Sequence, residues 1–303
     1  MEDVNKEVEG LPLKDEIITA ILMHREVHFG GSFNLMLEYY EGGGKGVSPD
    51  FTLENIVDLF QIEKKLEQNL AALILSGPDA EIVQKARESY KKLREVYQSE
   101  SHADRYAQMI ADLIFSEEEE PKKEIDVIVA EGKAIVPALI HISQSEDLQN
   151  PLYPGYGCAP HLATLCLGKI GDDRAVMALF EQIGRGNVQE EEEALSALRA
   201  VGEAAKEFLL KVVRSKPITE DNERAAIAII QFKDDPVVGD VCLELLQNEE
   251  IRQTLPLAAY LVLACEGLQK EEQRLLFKKL SRDPKTPTIL HVDFDVVMSS
   301  WKG

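Results

Sequence analysis

The sequence predicts an all-α protein: an irregular helical domain over residues 1–116, then an α-solenoid of stacked helix pairs over 117–303, closed by a C-terminal capping segment. Three observations carry this prediction. Apolar residues recur at the three- and four-residue intervals of one helix face. A glycine-centred pattern returns along the chain, with Gly171, Gly202, Lys233 and Gly267 separated by 31, 31 and 34 residues. Flanking columns return with it, namely Ala163, Ala194, Ala225 and Ala259, and Leu167, Leu198, Ile229 and Leu263. A period in this range marks serially stacked two-helix units.

Composition narrows the function classes. Apolar residues make up 45% of the chain and aromatics only 6%, which suits thin helical layers packed with Ala, Leu, Ile and Val. The net charge of −21 repels phosphate backbones, so nucleic-acid binding is disfavoured. No stretch approaches the roughly 18 apolar residues of a membrane span. The start, Met-Glu-Asp-Val-Asn-Lys-Glu, has neither the basic region nor the apolar region of a secretory signal. Cys158, Cys166, Cys242 and Cys265 match no zinc spacing and are expected as buried free thiols of a cytoplasmic protein.

The elements follow in order. Residues 1–12 form a polar tail. A first helix runs from Lys14 to about His28, with Ile17, Ile18, Ile21 and Leu22 on one face, and Phe29-Gly30-Gly31 ends it. Ser32 caps a second helix carrying Phe33, Leu35, Met36 and Leu37. Gly42-Gly43-Gly44-Lys45-Gly46 is a flexible connector. Thr52 starts a long helix reaching Ile74, Gly77-Pro78-Asp79 begins another to Tyr97, and a further helix spans Ser101 to Phe115. The acidic run from Glu117 to Glu120 with Pro121 marks the domain boundary.

Beyond it, Gly132 to Ile140 reads as the second helix of a pair, and pairs follow near 159–184, 189–215, 219–248 and 250–282. Gly132 and Gly171 are 39 apart, and the surplus falls on Pro151 to Cys158, an inserted loop. Gly171 and Gly202 end first helices in the left-handed conformation, and Asp172 or Asp173 caps the next helix. Residues Thr288 to Val297 alternate apolar and polar and read as an extended segment or a short helix covering the last pair.

The segment from Cys166 to Leu179 resembles the HEAT-like repeat of the phycobilisome-lyase type, through Leu167, Gly168, Ile170, Gly171, Asp172, Ala175, Val176 and Leu179. Glu223-Arg224-Ala225-Ala226 resembles the start of a following repeat. The resemblance covers about residues 120–282, while Phe232 and Lys233 depart from its usual Ile-Gly. It implies an α-solenoid, within a class that includes bilin lyases, scaffolds, adaptors and a DNA-glycosylase group. The His-Glu dyads of iron-binding HEAT hydroxylases are missing from this sequence.

Candidate chemistry is sparse. His24 and His28 lie one helical turn apart and, with Glu38 or Glu41 as a further ligand, are the alternative to an absence of any metal site. Packing at a helix end explains the same residues. Gly30-Gly31-Ser32 before a helix could cradle an anion, against the plainer role of a helix break. In HEAT stacks second helices line the concave side, where Arg174, Arg185, Lys206, Lys211, Arg214, Arg274, Lys278 and Lys279 would sit. With Tyr153 and Tyr156 on the inserted loop, these form the expected contact surface for another protein or a peptide segment of acidic or mixed charge. The expected function is that of a non-catalytic interaction scaffold without cofactors. The alternative is an enzyme or a metal- or ligand-binding protein with its site near His24 to Phe33.

Overall fold

A computed structural model of the chain describes residues 15–98, 105–118, 120–184 and 188–301. The polar tail expected over residues 1–12, Ser101 and Arg185 lie outside the described residues. Among the described residues every regular element is helical, and no helix is long and apolar enough to cross a membrane. The chain divides into two compact units, one of residues 1–130 and 141–162, the other of 131–140 and 163–303.

In the first unit the elements are α1 (Glu16–His28), α2 (Phe33–Gly42), α3 (Leu53–Leu66), α4 (Leu70–Ile74), α5 (Gly77–Glu95), α6 (Arg105–Phe115) and α7 (Lys122–Ala130). Caps set their starts. Asp15 accepts from the Ile18 N–H, Ser32 from Leu35 and Thr52 from Asn55. Ser76 and Asp79 close a capping box at α5. The long helix expected from Thr52 to Ile74 is two helices. Glu67 is left-handed, with φ of 53°, and Asn69 caps α4 through the Ala72 N–H. The break lets Glu63 accept from both the Leu70 N–H and Arg25.

Arg25 is the polar centre of this unit and is fully buried. Its guanidinium bonds Glu63 and Glu26, each at 2.7 Å, and lies 4.3 Å from the Phe33 ring centroid. Around it Ile21, Leu22, Phe33, Met36, Ile56 and Leu70 form the core. The Gly30-Gly31 break is spent on local structure. The N–H groups of Gly31 and Ser32 bond the carbonyls of Arg25 and Phe29 and offer no cradle to an outside anion.

Next come α8 (Val136–Ser143), α9 (Glu146–Gln149) and α10 (Ala159–Ile170), followed in the second unit by α11 (Val176–Phe180), α12 (Val188–Val201), α13 (Glu203–Val213), α14 (Glu220–Ile229), α15 (Pro236–Leu246), α16 (Glu249–Gln253), α17 (Leu255–Leu263), α18 (Glu271–Leu280) and α19 (His291–Ser300). Packing is between neighbours: α12 meets α13, α13 meets α14, α14 meets α17, and α15 meets α17 and α18. Ala163, Ala194 and Ala225 are fully buried. Gly171 and Gly202 both have positive φ, 66° and 80°, a region that favours glycine, although Gly202, with ψ of −126°, does not take the left-handed helical conformation.

Polar contacts of the second unit recur at about the same interval. Lys206 pairs with Asp235, Arg214 with Glu244, Lys233 with Glu266 and Arg252 with Asp283. Buried Asn222 closes the turn between α13 and α14, donating to the carbonyls of Val212, Val213 and Ser215 while accepting from the Thr219 N–H. The C-terminal segment takes the helical form of its two expected readings. Leu290, Phe294 and Val297 are buried at helical spacing, and Phe277 stacks with both Phe294 and Trp301 at 4.6 and 5.2 Å.

Candidate functional site

The last turn of α1 places His24 and His28 on one face, with ring centroids 4.4 Å apart. Aromatic rings from distant segments close around them. Tyr90 comes from α5, Tyr40 from α2, Phe51 from the approach to α3, and Tyr156 from the inserted loop. Their centroids lie 4.8 Å from His28 for Tyr156 and 5.5 Å for Tyr90, and 6.0 and 5.6 Å from His24 for Tyr40 and Phe51.

Backbone conformation delivers Tyr156. Its φ is +56°, uncommon for a bulky residue, and Gly155 and Gly157 on either side have φ of 87° and 84°. On the other flank a Cβ at Gly46 would overlap the Tyr156 ring, and one at Gly44 would overlap that of Tyr39. The glycine run read as a flexible connector is thus a surface shaped to accept two tyrosines. The Gly46 N–H donates to the Tyr39 hydroxyl, which donates to Glu117 at 3.0 Å.

The Pro151 carbonyl fixes a proton on Nε2 of His28, and burial, which keeps the ring neutral, leaves Nδ1 to accept. Nε2 lies 3.1 Å from that carbonyl, which only accepts. Nδ1 then accepts from the Tyr90 hydroxyl at 3.1 Å. Burial depresses the titration of both imidazoles, to about 4 for His28 despite the Pro151 bond. For His24 burial and then the neighbouring His28 take it to about 3. Burial raises the phenols of Tyr90 and Tyr156 above their ordinary range. Both rings are therefore neutral at pH 7.

Two cavities flank this cluster, and Tyr156 lines both. One of about 450 Å³ is walled by Met23, Val47, Phe51 and Leu152, with His24, Lys45, Ser48, Asp50 and Asn150 as polar members. The Nε2 of His24 is buried and has no hydrogen-bond partner. Lys45 donates to the Ser116 carbonyl at 3.0 Å, and burial lowers its titration. The second cavity, about 530 Å³, is lined by His28, Tyr90, Arg87, Lys91, Arg94 and Glu117 among others. Arg87 is held by the backbone carbonyl and the carboxylate of Glu26.

The structure treats the other expected site residues differently. Both nitrogens of His28 are engaged and Glu38 is exposed on α2, so the His24, His28, Glu38 set does not converge. Among the described residues no three His, Cys, Asp or Glu side chains gather at metal-binding distance. Tyr153 is largely buried and lines a cavity with Glu146, Asp147 and Asn150. Arg174 is tied to Asp172 and to the Lys133 carbonyl. Lys206 is clasped by Glu203 and Asp235, and Arg214 bonds Glu244. Arg274 donates to the Leu268 carbonyl and stacks over Trp301. Lys211, Lys278 and Lys279 remain exposed.

Tyr40, Phe51 and Tyr90 were not legible as site residues, because an aromatic at helical spacing reads as core. The one available signal was Gly44-Lys45-Gly46, where glycines bracket a cation. Cys166, Cys242 and Cys265 are buried free thiols, and burial pushes those of Cys166 and Cys242 up to about 12. No family model matches this chain, and no curated protein matches it at a significant level.

Proposed function

We propose that the protein is a non-catalytic binding protein whose first unit holds a small, largely apolar molecule in the cavity beside His24. The observation that carries this reading is the buried, unpartnered Nε2 of His24, in a residue that lines a cavity with apolar walls and a few polar members, Lys45, Ser48, Asp50 and Asn150. Buried polar atoms are normally paired, and apolar cavities with a few convergent polar groups are the usual form of ligand sites. The ligand therefore carries one group that hydrogen-bonds His24, with its apolar body against Phe51 and Leu152. Binding is favoured over acid–base catalysis because neither histidine titrates near neutrality, whereas an effective general base has its pKa near the working pH.

The test is a fragment screen by ligand-observed NMR on the intact chain and on Val47→Trp, which fills the cavity. Apolar fragments with one polar group should bind the parent and lose their signal in the variant. A parent without hits, or hits untouched by Val47→Trp, rejects the reading.

A second reading concerns the other unit, as a HEAT-like solenoid that contacts a partner protein. What supports it is the recurrence of ion pairs about one repeat apart, together with packing between consecutive helices. Stability in such arrays is a sum over neighbours, so an internal repeat is dispensable. Deleting residues 188–218 should leave a cooperatively melting helical protein under this reading. A molten or aggregated product points instead to a closed core. The exposed Lys211 then marks the face where charge reversal should weaken partner binding.

A further inference from the structure

A concentration of cations in the second unit stands apart from the cavity beside His24. A cleft of about 760 Å³ lies between α16 and the C-terminal end of α18. Arg252, Lys278, Lys279 and Arg282 line it, against Asp283 as the sole carboxylate among its lining residues. This local excess of positive charge stands in a chain of net charge −21.

Arg252 makes the cleft more than a cluster of surface lysines. It is 3% exposed. Its Nη1 donates to the Leu246 carbonyl at 2.6 Å and its Nη2 to Asp283 at 3.2 Å. These bonds fix the guanidinium, yet its Nε is buried with no hydrogen-bond partner. Lys278, Lys279 and Arg282 make no ion pair among the described residues. Cations at a helix C-terminus answer the helix dipole, and Lys278 and Lys279 lie in the last turn of α18 as Arg252 lies in that of α16; the dipole does not account for the burial of Arg252 with an unpartnered Nε, nor for Arg282 beyond the helix end. Leu275, exposed on the rim, and Leu276 add apolar wall.

We infer that this cleft binds a phosphate-bearing small molecule, its phosphates held by Lys278, Lys279 and Arg282 beside the anchored Arg252 and its body against Leu275 and Leu276. Guanidinium forks match phosphate oxygens and ammonium groups serve as point charges beside them. The volume falls within the range of small-molecule sites. Because the net charge of the chain repels anions, binding depends on short-range contact with these residues, not on long-range steering.

The experiment is calorimetric titration of the intact chain with pyrophosphate and tripolyphosphate at low salt and at about 0.15 M, with citrate as carboxylate control. Affinity should rise with phosphate chain length and exceed that for citrate by about tenfold, a difference of about 1.4 kcal/mol. Lys278→Gln/Lys279→Gln, which alters exposed residues only, should weaken tripolyphosphate at least about tenfold with an unchanged melting curve. Lys91→Gln/Arg94→Gln in the first unit should leave it unchanged. No heat at low salt, citrate binding as tightly as tripolyphosphate, or an equal loss in the Lys91/Arg94 variant would overturn the assignment. Val47→Trp should leave phosphate binding intact, so failure here and failure of the apolar cavity are separately visible.

Discussion

The two units spend their polar groups in opposite ways. In the first, His28 reaches the Pro151 carbonyl across 123 residues of sequence, and Arg25 reaches Glu63 and Asn69 across 38 and 44. In the second, Lys206 to Asp235, Arg252 to Asp283 and Lys233 to Glu266 span 29, 31 and 33 residues. Long, unequal spans build a singular enclosure with buried titratable rings. Short, nearly equal spans tie helices a similar distance apart in the chain, and their carboxylate partners keep contact with water. The comparison teaches where each unit is vulnerable: the first to the loss of any one buried partner, the second to defects at single junctions.

Acid should separate the units most. Unfolded imidazoles titrate near 6.5, whereas His28 and His24 in the folded unit titrate near 4 and 3. Above pH 6.5 both states are neutral and the stability is fully present. Below it the unfolded chain takes up protons that the folded unit refuses, so stability falls by up to about 1.4 kcal/mol per pH unit for each histidine, until the folded values are reached. Asp172 of the second unit is held near 2, chiefly by its bond to Arg174, so its contribution is lost only below about pH 4. Hydrogen exchange read peptide by peptide at pH 7 and pH 5 should show first-unit helices deprotected while Trp301 fluorescence, which reports the second unit, is unchanged. Parallel deprotection of both units would erase the contrast.

Arg25→Ala comes next. It strands Glu63 and Glu26 without their buried cation, and breaking such a pair costs about 3 kcal/mol or more. Urea unfolding should lose a first-unit transition at a midpoint well below the parent. Asn222→Ala removes the donor shared by three carbonyls and should cost about 2 kcal/mol, confined to the second unit. Lys206→Met tests the ladder itself. Its partners Glu203 and Asp235 keep access to water, so the expected loss is only about 0.5–1 kcal/mol. A loss as large as that of Arg25→Ala would mean that the ladder is a buried network and that the two units are built alike.

Much of the helical framework was legible beforehand because its determinants are local. Asp172 and Ser32 cap where short polar side chains precede apolar runs, and Gly171 and Gly202 take positive φ where helices end. One local reading went astray for a tertiary reason, and another was decided by one. The helix through Thr52 and Ile74 breaks at Glu67, since Glu63 finds better partners in Arg25 and the Leu70 N–H than continued helix would supply. The alternation at Thr288 to Val297 suits a strand as well as a helix, and burial of Phe294 against Phe277 favours the helix. The basic residues assigned to an open groove illustrate the same limit. Charge is written in the chain, but whether Lys206 faces a partner or Asp235 is not.

By itself the sequence determined the all-helical class and many of the helix ends, because hydrophobic period, capping and glycine conformation act over a few residues. Only the tertiary structure decided that Tyr90, Tyr156 and Pro151 meet His28, that His24 is left with an unpartnered nitrogen, and that Arg252 stands beside Lys278, Lys279 and Arg282. Those pairings join segments far apart in the chain, and an aromatic ring or a cation carries the same local signature whether it fills a core, meets water or lines a cavity.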